Sequence, residues 1–122
     1  MPDKSLGLDA ESNSMLETLL GSENAARVLL FLHARGEGYA HEVARFYDTA
    51  LQPVQRQLEK FEAAGILYSR RVGRTRVYEF NPRCPLVEEL RALLGKALSL
   101  YSDGERDALL TDRRRPRGRA KP

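Results

Sequence analysis

The sequence is poor in the residues that build disulfide frameworks and membrane spans. Cysteine occurs once among 122 residues, and no long apolar run interrupts the chain. A single cysteine cannot form a disulfide within one chain and fits a reducing compartment, so we expect a cytoplasmic protein. The apolar runs fall short of the roughly 20 residues of a transmembrane helix, and the opening residues lack the apolar stretch of a secretory signal. We therefore expect no membrane association.

Catalytic and metal-binding patterns are also missing from the sequence. It has no glycine-rich phosphate loop, no serine–histidine–aspartate set and no converging carboxylates, so we predict a protein that is not an enzyme and needs no cofactor. His33, His41 and Cys84 stand far apart without ligand spacing, which predicts no metal site. Pro85 and Leu86 beside Cys84 indicate a packed position, and a thiol switch there stays open as an alternative.

Charge is distributed unevenly along the chain, although the formal net charge is only +3. Residues 113–122 carry six of the 20 basic residues and no acidic one, which leaves 14 basic and 17 acidic residues in the other 112. Within this mildly acidic body, residues 52–76 hold six basic residues against two acidic ones. A basic island of this kind creates a local field that can select a polyanion.

Apolar periodicity predicts a chain that is mainly helical. The second predicted helix is apolar on nearly every side, so we expect it at the centre of the core. We expect the last long helix to end at Asp103-Gly104 and residues 105–112 to add one more turn. The predicted helices cover residues 13–20, 23–35, 40–47, 50–64 and 85–101.

A β-hairpin is predicted between the last two long helices. Residues 66–72 and 74–80 are strand-like and are joined at Gly73, and Gly65 ends the helix before them. Four arginines fall within seven residues around the tip of this hairpin. The expected fold class is therefore mainly α with a small β-hairpin (α+β), in a single domain.

The order of these elements resembles that of a known family. Residues 42–58, EVARFYDTALQPVQRQL, have the form of a helix-turn-helix, and KFEAAGILYSRRVGRTRVYEFNP follows directly. Over about residues 15–101 the chain resembles the bacterial winged helix-turn-helix transcriptional regulators of the ArsR-like group. The resemblance implies a three-helix core with a wing and a C-terminal dimerisation helix. It also implies sequence-specific binding of double-stranded DNA as a homodimer.

The predicted recognition helix and wing offer side chains suited to DNA. Gln52, Gln55 and Arg56 suit base edges, because glutamine pairs with adenine and arginine with guanine in the major groove. Thr49 suits a phosphate or a helix cap, and Lys60 suits a phosphate. The side of the hairpin that each arginine occupies is left open by the sequence. The predicted DNA-binding residues are Thr49, Gln52, Gln55, Arg56, Lys60, Arg70, Arg71, Arg74 and Arg76.

The last long helix carries two apolar stripes, whereas a helix lying on its own small domain needs only one. With the apolar helix near residue 15, this predicts a homodimer. A twofold dimer would place two recognition helices about 34 Å apart, facing a pseudo-palindrome. The predicted interface comprises Met15, Leu16, Leu19, Leu90, Leu93, Leu94, Ala97, Leu98 and Tyr101.

The predicted organisation has three parts. Residues 1–12 form a flexible N-terminus, 13–102 a winged-helix DNA-binding and dimerisation domain, and 103–122 a short extension with a disordered basic tail. The tail either adds nonspecific DNA affinity or has no role. The alternative function is a winged-helix adaptor, or a regulatory partner of an enzyme or toxin, that does not read DNA. The sequence identifies no effector.

Overall fold

The computed structural model of the protein describes residues 15–111. These residues form six helices and one antiparallel hairpin. The expected fold class, mainly α with a small β-hairpin, is therefore confirmed. The expected flexible N-terminus and the basic tail at 113–122 lie outside the described residues. None of these six helices combines the length and apolar character needed to cross a bilayer. In chain order the elements are α1 (residues 15–20), α2 (Glu23–Arg35), α3 (Ala40–Tyr47), α4 (Leu51–Ala63), β1 (Leu67–Val72), β2 (Thr75–Phe80), α5 (Val87–Ser99) and α6 (Asp103–Leu110).

Helix α2 is the centre of the core, as its apolar sequence predicts. At its start the Ser22 hydroxyl accepts a hydrogen bond from the amide of Ala25 at 3.0 Å. At its end Gly36 has a φ of 91°, a conformation that favours glycine. Seven of the α2 residues are buried, and the helix contacts α3, α4, α5, α6 and β2. The predicted bounds are confirmed because the sequence carries both cap signals.

A tight corner joins α3 to α4. Asp48 has a φ of 54°, in the left-handed region that a short polar side chain tolerates better than most. The next amide, that of Thr49, donates to the carbonyl of Ala44 at 3.0 Å. The N-cap of α4 is Ala50, which makes no side-chain hydrogen bond, so the expectation that Thr49 caps this helix is wrong.

The hairpin has a regular register. Leu67 lies opposite Phe80 at its base and Val72 lies opposite Thr75 near its tip, which leaves Gly73 and Arg74 as a two-residue turn. Gly73 has a φ of 63°, which the first position of such a turn requires. The strands therefore begin and end within one residue of the predicted bounds.

The segment between α2 and α3 pairs with the hairpin. Gly38 exchanges two backbone hydrogen bonds with Tyr78, at 2.8 and 3.1 Å. A side chain at Gly38 has no room, because a Cβ there would lie 2.9 Å from Cε1 of Phe31 and 3.2 Å from Cδ2 of Leu32. This close backbone approach brings β2 onto α2.

Helix α5 divides its two apolar stripes between the core and the solvent. Leu94 and Leu98 are buried, and α5 contacts α2. On the other side Leu86, Leu93 and Leu100 are exposed, with 68%, 38% and 37% of their surface accessible. One side of α5 thus completes the core, and the leucines Leu86, Leu93 and Leu100 are open to solvent.

Four residues predicted for a dimer interface are corrected to core residues. Their side chains are at most 9% exposed, because α1 and the inner stripe of α5 pack against the rest of this chain. These buried residues are Leu16, Leu94, Ala97 and Leu98. Leu90 and Tyr101 are half-buried beside the core, whereas Met15, Leu19 and Leu93 are exposed.

Residues 103–110 form a two-turn helix, more than the single turn expected there. Ser102 caps α6 by accepting from the amide of Glu105 at 3.3 Å, and Leu109 is buried against the core. Arg35 of α2 donates to the backbone carbonyls of Leu109 at 2.6 Å and Ala108 at 3.2 Å. These contacts make α6 part of the same packed unit as α2.

Candidate nucleic-acid interface

Helix α4 separates its residues by face. Val54, Leu58 and Phe61 are buried in the core, as their spacing predicts. The solvent face carries polar and charged residues, and its exposed members include Gln52, Gln55, Arg56, Glu59 and Lys60. The face left open to a partner is therefore the one that holds the predicted base-reading side chains.

The strand register divides the hairpin arginines between two faces. Residues directly opposite each other share a face, so Arg71 lies beside Arg76 and Ser69 lies beside Tyr78 on one face. The Ser69 hydroxyl donates to the carboxylate of Glu62 on α4 at 2.7 Å, which shows that this face is turned toward α4.

Arg70 lies on the opposite face of the hairpin. It forms ion pairs with Glu79 across the strands and with Glu37 at 2.9 Å in the segment before α3. The hydrogen bond that Arg70 donates to Glu37 raises the pKa of Arg70, so the guanidinium stays charged and held. Two carboxylates therefore compete with any phosphate for this side chain, although the sequence grouped it with the other tip arginines.

Arg76 belongs to a chain of hydrogen bonds that ties the hairpin to α4. Its guanidinium donates to the Ser69 hydroxyl at 3.0 Å, and that hydroxyl donates in turn to Glu62. Four other predicted cations are exposed and make no ion pair with any residue in the described part of the chain. These four are Arg56, Lys60, Arg71 and Arg74.

A groove of about 410 Å³ lies between the start of α3, α4 and the hairpin, and we call it the α4–hairpin groove. Four predicted residues line it together, namely Gln55, Arg71, Arg74 and Arg76. Gln52, Arg56 and Lys60 lie on the solvent face of α4, Thr49 lies half-buried at the corner, and Arg70 lies on the far face of the hairpin.

The groove residues that had no role assigned from the sequence include Tyr39, His41 and Glu59. Glu59 is four residues after Gln55, and the Nε2 group of Gln55 donates to the Glu59 carboxylate at 3.3 Å. Helical spacing predicts this contact. The placement of Tyr39 and His41 had no local signal, because it depends on how the start of α3 packs beside the hairpin.

Tyr78 lines the same groove and remains uncharged at neutral pH. Burial raises the pKa of Tyr78, and the nearby carboxylates of Glu62 and Glu59 raise it further. Its side chain therefore contributes an aromatic surface and a neutral hydroxyl between the arginines and α4.

The histidines and the cysteine are not gathered in one place. The Nδ1 atom of His33 accepts a hydrogen bond from Arg91 at 3.2 Å, and burial, aided by Arg91, lowers the pKa of His33. His41 lies in the groove, and Cys84 is half-buried in the turn after β2. Across residues 15–111 no three of the His, Cys, Asp and Glu residues lie close enough together to hold a metal ion.

No family model matches the sequence, and neither a curated protein nor a solved structure matches it. Function therefore has to be inferred from the geometry of the α4 face and the groove.

Proposed function

We propose that the protein is a cytoplasmic transcription regulator that binds specific double-stranded DNA as a homodimer and has no catalytic activity. Four exposed cations on α4 and the hairpin, with no acidic partner among the described residues, carry this proposal. Cations held without partners on adjacent elements suit a ligand with regularly spaced negative charges. They are Arg56, Lys60, Arg71 and Arg74.

Helix α4 acts as the recognition helix in this proposal. It has 13 residues and an exposed polar face, which suits the roughly 12 Å width of the major groove. Gln52 and Gln55 reach base edges from its first turns, and Arg56 takes guanine. Lys60, one turn further along, takes a phosphate, as does Thr49 at the corner.

The hairpin acts as the wing. Arg71 and Arg74 extend from its exposed tip toward the DNA backbone or the minor groove. Arg76 sets the angle between hairpin and α4 through Ser69 and Glu62, and Arg70 braces the far face. The winged helix-turn-helix arrangement is supported by this side-by-side placement of α4 and a basic hairpin.

The outer stripe of α5 supports self-association. Leu86, Leu93 and Leu100 are exposed along one side of this helix, and Met15 and Leu19 are exposed on α1. Apolar side chains in a row on a helix are typical of a protein interface. A twofold dimer through α5 would present two α4 helices to one side of the duplex.

Selection of bound sequences from a random duplex pool, followed by titration, tests the proposal. We expect a selected site with two half-sites about 34 Å apart, and a dissociation constant at least about 1,000-fold below that of a scrambled duplex. Equal affinity for both duplexes would overturn the sequence-specific reading. Salt-insensitive behaviour together with a stable complex with another protein would instead favour the adaptor function.

A further inference from the structure

We infer that Glu59 is a positioning residue that fixes the amide of Gln55 for adenine, and that its charge weakens binding to DNA of every sequence. This inference rests on the proposed function, because it assigns a role within the same α4 face. Glu59 is an acidic residue in a groove whose charged neighbours include three arginines, and no role in packing accounts for it, since it is exposed.

The geometry singles out this carboxylate among the acidic residues near the hairpin. Glu37 and Glu79 are engaged by Arg70, and Glu62 accepts from Ser69. Glu59 makes no ion pair with any cation in residues 15–111, and its hydrogen bond is the one from Gln55 at 3.3 Å. Its charge therefore stays in the groove instead of being neutralised by an arginine.

The hydrogen bond determines what the Gln55 amide can offer a base. One Nε2 hydrogen points to Glu59, so the second Nε2 hydrogen and the Oε1 atom remain for the ligand. Adenine presents an N6 donor beside an N7 acceptor, which matches that remaining pair. Guanine presents two acceptors, O6 and N7, so Oε1 would face an acceptor and only one hydrogen bond would form.

The negative charge of Glu59 has a second effect on binding. A carboxylate beside the path of the DNA backbone repels phosphates, whatever the sequence. This repulsion lowers the affinity for every duplex by a similar factor, so it leaves the ratio between correct and incorrect sites unchanged. Glu59 therefore lowers general affinity through its charge, and it raises the ratio between correct and incorrect sites through the position in which it holds the Gln55 amide.

A double-mutant cycle tests this role. The base pair read by Gln55 is first located as the position where Gln55→Ala loses its adenine preference in the selected duplex. Wild type, Glu59→Ala, Gln55→Ala and the double variant are then titrated on that duplex and on its adenine-to-guanine version. We expect Glu59→Ala to lower the adenine preference about two- to tenfold, because the Gln55 side chain is then no longer held and has to be ordered when adenine is bound. We expect the same change to leave the ratio of adenine to guanine affinity unaltered when Gln55 is already alanine.

Two further measurements complete the test. Glu59→Gln keeps an acceptor for Gln55 and removes the charge, so it should retain most of the adenine preference while binding a random duplex about two- to threefold more tightly. Thermal unfolding of each variant should match wild type, because the side chain is exposed.

The outcomes separate this inference from the proposed function. If wild type selects a site and Glu59→Ala leaves the adenine preference unchanged, or lowers it equally in the Gln55→Ala background, the positioning role is refuted and the regulator function stands. If wild type shows no sequence preference in the selection, both are overturned.

Discussion

The hairpin arginines differ in their ion-pair partners, and this difference predicts how the affinity for DNA depends on salt. Replacing both Arg71 and Arg74 by alanine removes two exposed cations without acidic partners in residues 15–111. Each phosphate contact contributes about −0.9 to the slope of log affinity against log salt concentration. We therefore expect the double variant to have a slope that is shallower by about 1.8. Raising salt from about 50 to about 200 mM should then weaken its binding about 12-fold less than it weakens wild type.

Arg70→Ala is the matched control for this experiment. The same residue type is removed from the same hairpin, but its guanidinium is already paired with Glu37 and Glu79. We expect a slope close to the wild-type value. Fluorescence anisotropy with a labelled duplex, titrated over the salt series, measures both slopes. A loss of slope in Arg70→Ala as large as that in the double variant would refute the assignment of the two hairpin faces.

Two further predictions concern packing and assembly. Gly38→Ala should destabilise the fold by about 1–3 kcal/mol in thermal unfolding, because the added Cβ meets Phe31 at 2.9 Å, whereas Gly104→Ala, with open space around it, should not destabilise. A wild-type melting temperature for Gly38→Ala would contradict the observed close packing. Leu94→Ala should cost about 2–5 kcal/mol, since Leu94 is fully buried, while the exposed Leu93→Ala should leave stability nearly unchanged and shift sedimentation toward monomer. An unchanged dimer fraction in Leu93→Ala would argue against the outer α5 stripe as the interface.

Local signals predicted most elements of the fold. Ser22 and Gly36 bracket α2, and Gly65 and Gly73 mark the ends of α4 and of β1, so these bounds could be read from single residues. The two stripes of α5 were visible as periodicity, but which stripe faces the core depends on the position of α5 against α2. That position is a tertiary property, and because of it Leu94 and Leu98 lie in the core and not at the predicted interface.

The two-turn length of α6 could not be predicted from its own residues. Gly104 is a poor helix former, and one residue of α6, Leu109, is buried. The helix is stabilised by Leu109 in the core and by Arg35, which lies more than 70 positions earlier in the chain. Such long-range support leaves no periodic signal in a segment of eight residues.

The amino-acid composition predicted that the hairpin tip is basic, but it did not predict what each charged side chain of the candidate site contacts. Four arginines near one turn indicated a basic tip, yet their partners depend on strand alternation and on Glu37, which lies outside the hairpin. Arg70 and Arg71 are adjacent in sequence and lie on opposite faces for this reason. Helical periodicity placed Glu59 on the polar face of α4. Its proposed role could be inferred only from its hydrogen bond with Gln55 and from the absence of an ion-pair partner in the described residues.

The bracing of the hairpin on both faces has a consequence for the entropy of binding. A two-stranded hairpin alone is marginally stable in water. Here Glu62 holds one face through Ser69, and Glu37 holds the other through Arg70. Its conformational freedom is therefore given up during folding, and a ligand that docks on its tip meets a shape that is already set. Glu37 and Glu62 lie away from the tip of the hairpin, yet they reduce the order that docking at the tip has to create.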